Sequence, residues 1–428
     1  MRLDYDAIIV GAGPAGSSAA ILLARAGWSV ALIEKQRFPR RKVCGECIAA
    51  SNLPLLQALG IGPAFAAAAG AELRQTAFLR GDCAVLADLP AAAHPHFRWG
   101  KALGREILDT LLVEQARSAG AHVLQPWIVQ QLIGSAGDWR CEVRASASTE
   151  TLTLRAAVAI DAHGSWETLT ASHPQPRRAR AASDLFAFKA NYRNAELAPG
   201  LLPVLSISGG YGGMVVADDG LVTVACCIRR DRLDTLRRAA PGLRAGDVVE
   251  GWLKRECKGV REALHAATRE GVWLAAGPLD PGVRLRADDQ PFRIGNAAGE
   301  AHPIIGEGMS MALQSAWLLC ANLLKFAPND LHAATPDIGW QAAAGRRYRA
   351  QWRRQFMPRL RLAALFAQLA MRPATAAPLL ALIRIWPGIL TVGARLGGKL
   401  RHAADPSLLS ALASTALVPV RAPALSPP

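Results

Sequence analysis

Charge is scarce in this chain of 428 residues: only 19% are Asp, Glu, Lys or Arg, and the acidic ones are the fewest. With 51% hydrophobic residues, so low a charge content excludes a disordered chain held open by its own repulsion. Lys plus Arg number 49 against 34 Asp plus Glu, a formal net charge of +15. The positive excess gathers in clusters such as Arg177-Arg178-Ala179-Arg180 and residues 346–354. No helix-turn-helix, finger or aromatic-plus-basic RNA signature accompanies them, so no nucleic-acid partner is expected. The eight cysteines lack the density of a disulfide scaffold, and Cys44-x-x-Cys47 has no second pair to close a zinc site, so no metal is expected. No 18-residue apolar run is free of charge and proline. Residues 379–396 come nearest but hold Arg384, Pro387 and Arg395, so a spanning helix is not expected. No repeat of 20 to 50 residues points to a solenoid. The start, Met1-Arg2-Leu3-Asp4-Tyr5-Asp6, has no basic n-region, and the expectation is a cytoplasmic protein with reduced cysteines.

What remains is an apolar chain long enough for two or three domains. Ala7-Ile8-Ile9-Val10 reads as a strand running into Gly11-Ala12-Gly13-Pro14-Ala15-Gly16, followed by a helix over 17–26 and a second strand over 29–33, closed by Glu34. Strand, glycine turn, helix, strand and acid within about 30 residues make a parallel βαβ unit. Glycines in that turn let backbone N–H groups approach a pyrophosphate at the helix N-terminus, and Glu34 accepts hydrogen bonds from a ribose diol. Arg105 to Ser118 reads as a helix, Phe292-Arg293-Ile294-Gly295-Asn296 as a strand ending in a polar turn, and 308–324 as a long apolar helix. Between them, residues 180–275 alternate short β-type runs with glycine-rich turns. From about 330 the chain reads as helices, with a proline-rich end over 418–428.

The segment Arg293-Ile294-Gly295-Asn296-Ala297-Ala298-Gly299 with His302-Pro303-Ile304-Ile305-Gly306-Glu307-Gly308-Met309 resembles the second FAD motif of the FAD-dependent aromatic-hydroxylase superfamily. That family carries Asp where this chain has Asn296, and Asn where it has Ser310. Arg105-x-x-Leu108-Asp109-x-x-Leu112 resembles the helix whose arginine reaches the FAD phosphates, and Val129 matches the position whose backbone meets the adenine. Phe38 to Glu46 resembles the stretch beside the isoalloxazine in the geranylgeranyl-reductase and flavin-dependent-halogenase branch. His163 aligns with an acid that aromatic hydroxylases use toward NAD(P)H, and the halogenase Trp-x-Trp-x-Ile-Pro is missing.

The resemblance implies an α/β protein with a Rossmann-type (GR2-like) FAD-binding domain over 1–75, 100–175 and 280–330. A β-rich substrate domain is inserted over 76–99 and 176–279, and a helical C-terminal region covers 331–428. It implies FAD contacts from Gly11, Gly13, Pro14, Ala15, Gly16, Glu34, Lys35, Cys44, Gly45, Arg105, Val129, Gly295, Asn296, Pro303, Gly306, Gly308 and Met309. NAD(P)H or a partner flavin reductase is the implied electron source. Cys44, His302 and Glu307 are the candidate catalytic groups, each with a plainer reading: packing for Cys44, a structural hydrogen bond for His302, a solvated acid for Glu307. The first functional expectation is a monooxygenase acting through a C4a-hydroperoxyflavin on an apolar, aromatic or polyketide-like molecule. The alternatives are a geranylgeranyl-reductase-like C=C reductase of a prenyl lipid, a halogenase, and a FAD-holding lipid-binding protein without catalysis. The arginines of 345–365 beside Phe356, Leu360, Leu362 and Leu365 suggest an acyl carrier protein or the inner face of a membrane as a peripheral partner, and Pro358 is expected to kink or split that helix.

Overall fold

The computed structural model describes residues 2–165, 181–286, 291–328, 330–331 and 338–398. The arginine cluster at 177–180, the 175/176 domain boundary and the end of the helical region beyond 398 lie outside them.

Two seven-stranded sheets dominate the molecule, and they obey different rules. In the first, Arg2–Val10 sits between Val30–Ile33 and Thr151–Asp161 and runs parallel to both; His122–Leu124 and Phe292–Arg293 extend the parallel part. Over Ala7–Val10, Val30–Ile33 and Ala156–Ile160 these strands are uniformly apolar and buried because both faces are covered. The antiparallel pair Trp127–Ser135 and Asp138–Ala145 continues the sheet beyond Thr151–Asp161. There Trp139, Cys141 and Val143 are buried while Arg140 and Glu142 are exposed, the period-two pattern of a strand wet on one face. Helices Pro14–Arg25, Arg105–Ser118 and Gly308–Phe326 pack with this sheet into the largest apolar cluster.

The second sheet is antiparallel except at one seam. Its order is Thr268–Leu279, Leu185–Arg193, Val222–Arg229, Gly210–Val216, Leu201–Ile207, Gln75–Arg80, Cys83–Asp88, and only Leu201–Ile207 and Gln75–Arg80 run parallel. One face is covered by helices Arg230–Ala239, Ala245–Glu256 and Lys258–Ala263, through Leu233, Val249, Trp252, Leu253 and Val260. The other face looks toward the first sheet. Adjacent cysteines show the alternation, Cys226 packing with those helices and Cys227 with Tyr211, Ile304 and Ala367 on the opposite side.

The C-terminal helix Gly339–Met371 is unbroken, with Pro358 inside it. The expected split does not occur because Pro358 and Arg354 lie on the exposed face, where water can take the carbonyl that proline leaves unpaired. Buried Gln341, Ala344, Tyr348, Trp352, Phe356, Leu360, Ala363, Ala367 and Ala370 recur every three or four residues as one stripe against the body of the protein. The chain then turns by 104° into Pro373–Ile385, and Gly388–Leu396 follows.

Candidate functional site

A single cavity of about 1160 Å³ lies between the two sheets and is closed on one side by the C-terminal helices. All the residues expected to contact FAD line it except Gly16. The glycines divide by function. Gly11 has φ +101°, and a Cβ there would lie 2.6 Å from the Ala162 carbonyl oxygen; a Cβ on Gly16 would lie 1.8 Å from the Gly11 carbonyl oxygen. These two shape the turn, so Gly16 supports the cradle from behind. Gly13 is ordinary in backbone, and a Cβ on it would point at open space, with Arg105 Nη2 its nearest neighbour at 3.9 Å. Gly45 and Gly308 also line the cavity with nothing within 4 Å of a Cβ. Empty space in front of three glycines, two of them at helix N-termini, is what a large anionic ligand pressed against backbone N–H groups requires.

Cations flank that space. Arg105 is buried and forks onto Asp109, with Nε and Nη2 each 2.7 Å from a carboxylate oxygen. Burial opposes its charge, but Asp109 outweighs burial and holds the guanidinium pKa above its ordinary value. Lys42, which the sequence reading did not single out, lines the same end; burial, reinforced by Arg105 and Arg40, lowers its pKa to about 8. Glu34 is buried, accepts from Ala12 N at 3.0 Å and Gln36 N at 2.9 Å, and is bridged by Arg40 Nη1 at 3.3 Å. The adenosine end is therefore preorganised by the chain's own hydrogen bonds.

Farther along, Asn296 Nδ2 donates to Ser165 Oγ at 2.7 Å, Ser165 donates to Glu300 Oε1 at 3.1 Å, and Arg284 bridges Glu300 and the Asn296 carbonyl at 3.0 and 2.6 Å. Where the family has an acid, His163 meets the carboxylate of Asp161 through Nδ1, so the negative charge sits two residues earlier. The stretch beside the expected ring is pinned from below. Glu46, completely buried and in the left-handed region at φ +57°, receives Lys189 Nζ, Thr223 Oγ1 and, at 3.0 Å, the Arg105 backbone N–H. Lys189 and Thr223 belong to the second sheet, so one carboxylate joins that sheet to the start of helix Arg105–Ser118. A lone lysine inside Phe186-Ala187-Phe188-Lys189-Ala190 is a signal that such a partner must exist.

The three candidate catalytic groups separate. Cys44 lines the cavity, with its sulfur 3.3 Å from the Glu46 N–H. Glu307 does not face the cavity. It is fully buried, and its carboxylate lies 3.2 Å from Nη1 of Arg359, which is also fully buried and donates to Gln314 Oε1. Glu307 is thus paired with Arg359 rather than presented to the cavity, and Arg359 is not part of a solvated basic face. His302 stands behind the wall, its Nδ1 3.3 Å from the hydroxyl of Tyr211, which does line the cavity. Burial raises the Tyr211 pKa well above its ordinary value and lowers that of His302, so phenol and imidazole are both neutral at pH 7.

The opposite end is apolar. The second sheet contributes Ala187, Leu202, Val204 and Met214, and the C-terminal helices contribute Leu362, Phe366, Leu369 and Leu390. No Asp, Glu, Lys or Arg of those helices reaches the lining.

Residues 4–198 match the family described as FAD binding domain. Among curated relatives, conditioned medium factor receptor 1 of Dictyostelium discoideum is 26% identical over 76% of this chain and 65% of its own length. Tryptophan 2-halogenase of Chondromyces crocatus is 23% identical over 78% and 64%, so the chain spans about two thirds of the length of these two. Menaquinone reductase of Mycolicibacterium smegmatis is 26% identical over 79% of this chain and 81% of its own. Among solved structures, the myxobacterial chondrochloren halogenase CndH superposes with a TM-score of 0.70 at 17% identity, covering 96% of this chain and 97% of that one. The geranylgeranyl bacteriochlorophyll reductase-like protein of Thermoplasma acidophilum gives 0.70 at 16%, covering 96% of each. Open glycines, paired cations and a preorganised acid fit FAD, the cofactor named by the domain model that matches residues 4–198, and the fold is shared with these solved structures.

Proposed function

We propose that this oxidoreductase acts on a largely apolar molecule held between the second sheet and the C-terminal helices, and that it reduces a C=C bond of a prenyl- or quinone-type substrate. One observation carries the choice of reaction: Tyr211, a phenol kept protonated by burial, lines the apolar wall and has His302 behind it. FAD, when bound and reduced, supplies a hydride. Saturating a C=C bond needs one proton as well, and Tyr211 is placed to give it and to be reprotonated through His302. The apolar wall excludes water and orients the chain of the substrate. Menaquinone reductase, similar over most of both chains, is a relative in keeping with this chemistry.

Monooxygenation is the second reading, favoured by the same dry wall, since an oxygen-activating flavin must be shielded from water. Anaerobic photoreduction followed by mixing decides between them. Reoxidation by menaquinone or a geranylgeranyl lipid without oxygen supports reduction. Inertness to these lipids, with a long-lived absorbance transient on mixing with oxygen, overturns it in favour of oxygen insertion. The electron source is proposed as a partner reductase rather than direct NAD(P)H, because the position aligned with the NAD(P)H-associated acid is His163, whose ring is engaged by Asp161.

A further inference from the structure

The mouth of the cavity has an unusual rim. Leu365, Val392 and Leu396 line the cavity and are at the same time exposed to 57%, 43% and 49%. Next to them, on Pro373–Ile385 and the turn after it, Leu382, Ile385 and Trp386 are exposed to 51%, 83% and 57%. Leu382 and Ile385, three residues apart, share one helix face with Trp386 directly after it in the turn, and Val392 and Leu396 share a face at i and i+4. Large apolar side chains scattered singly on a surface need no explanation; six gathered around one opening do.

The charge around this rim is of one sign. Residues 338–398 contain ten arginines and no Asp, Glu or Lys. Arg359 is buried against Glu307, but Arg361, Arg372, Arg384 and Arg395, which alternate with the apolar rim residues, are all exposed. Exposed Leu, Ile and Trp beside arginines is the composition of a surface that lies in the headgroup layer, its apolar side chains in the acyl boundary and its guanidiniums reaching up to phosphates. A second copy of the chain would set these arginines against one another. No helix among the described residues is long and apolar enough to cross a bilayer; the 104° turn between Gly339–Met371 and Pro373–Ile385 instead lays the second helix off the axis of the first.

We propose that this rim is a docking surface for an anionic lipid bilayer, seating the cavity mouth on the membrane so that an apolar substrate enters from the lipid without crossing water. The proposal rests on the apolar-substrate reading for its purpose, but its test does not use substrate. Full-length holoprotein is sedimented with vesicles of phosphatidylcholine alone and of phosphatidylcholine with phosphatidylglycerol. Binding at least tenfold tighter to the anionic vesicles is expected. The double variant Ile385→Glu/Trp386→Glu, neither residue of which lines the cavity, should lower that binding at least tenfold with flavin content and melting temperature unchanged. Arg384→Glu/Arg395→Glu should remove the anionic preference. Trp386 fluorescence should be quenched by brominated acyl chains, a signal that Trp386→Phe identifies by its loss. Equal binding to both vesicle types, binding indifferent to the Ile385/Trp386 variant, or a concentration-dependent dimer abolished by that variant would each overturn the proposal. If vesicles bind as expected but no lipid reoxidises the reduced protein, docking stands and the proposed reaction falls.

Discussion

The two ends of the cavity are built by opposite means. The nucleotide end is made of consecutive residues: Gly11 to Gly16, Glu34, the 42–46 stretch, Arg105 and Gly295 to Met309, each on a turn that ends a strand or opens a helix. Its energetics are polar, with fixed N–H groups, forked ion pairs and short hydrogen bonds. The substrate end gathers short, mostly apolar pieces from 76, 187–188, 202–204, 211–214, 225–227, 276–279 and 362–397, scattered along the chain. A fixed ligand can be met by a fixed motif, whereas a variable apolar one requires only a dry space of the right size.

The sharpest break in this comparison comes from two neighbouring glycines. Gly16→Val should abolish both flavin retention and the native fold, because its Cβ would overlap the Gly11 carbonyl oxygen. Gly13→Val, at ordinary φ and facing open space, should lose the flavin while leaving the melting temperature of the apoprotein within about 2 °C. Flavin absorbance and thermal melts of both variants check this. If Gly13→Val stays yellow, the phosphate end has been misplaced.

The seam between the ends is the next target. Lys189→Met should destabilise the protein by about 3–5 kcal/mol, since it leaves the Glu46 carboxylate buried without its cation. Adding Glu46→Gln should recover much of that loss. Denaturant melts of the single and double variants would show it, and additive losses would mean that the two side chains are not coupled.

On the substrate side, Tyr211→Phe should slow substrate reduction by about a hundredfold while flavin content stays full. Single-turnover reoxidation measures it. A rate unchanged within twofold would remove Tyr211 from the chemistry.

The smallest expected effect lies at the phosphate end. Lys42 has a pKa of about 8 without an anion beside it, and a bound pyrophosphate would raise it. Binding then takes up a proton around pH 8, so FAD affinity should fall as pH rises, by about tenfold between pH 7 and pH 9. Lys42→Met should flatten the dependence in calorimetric titrations; a slope that survives the substitution would assign it elsewhere.

The same contrast explains what could be read in advance. The βαβ unit and Arg105–Ser118 were legible because glycine spacing and helical periodicity are local signals. Helices Arg230–Ala239 and Ala245–Glu256 were hidden inside a stretch that reads as short strands, although Val248, Val249, Trp252 and Leu253 carry a helical period. Strands Trp127–Ser135 and Asp138–Ala145 also passed unnoticed, despite the alternation of Trp139, Cys141 and Val143 with Arg140 and Glu142. The placement of Glu307 is hidden for another reason. Its neighbours Gly306 and Gly308 face the cavity, and only the position of Arg359, 52 residues away, reveals that it points elsewhere. Tyr211 lies in the stretch that reads as short strands and glycine-rich turns, and its pairing with His302 spans 91 residues.

The carboxylate of Glu46 sets a timetable for the newborn chain. Its lysine lies 143 residues downstream and its threonine 177. At ribosomal speeds of about 5–20 residues per second, that is a wait on the order of ten seconds. Until then the Glu46 carboxylate has neither its lysine nor its threonine, and the 44–47 stretch must stay open to water. The flavin cradle therefore closes late, when the second sheet arrives.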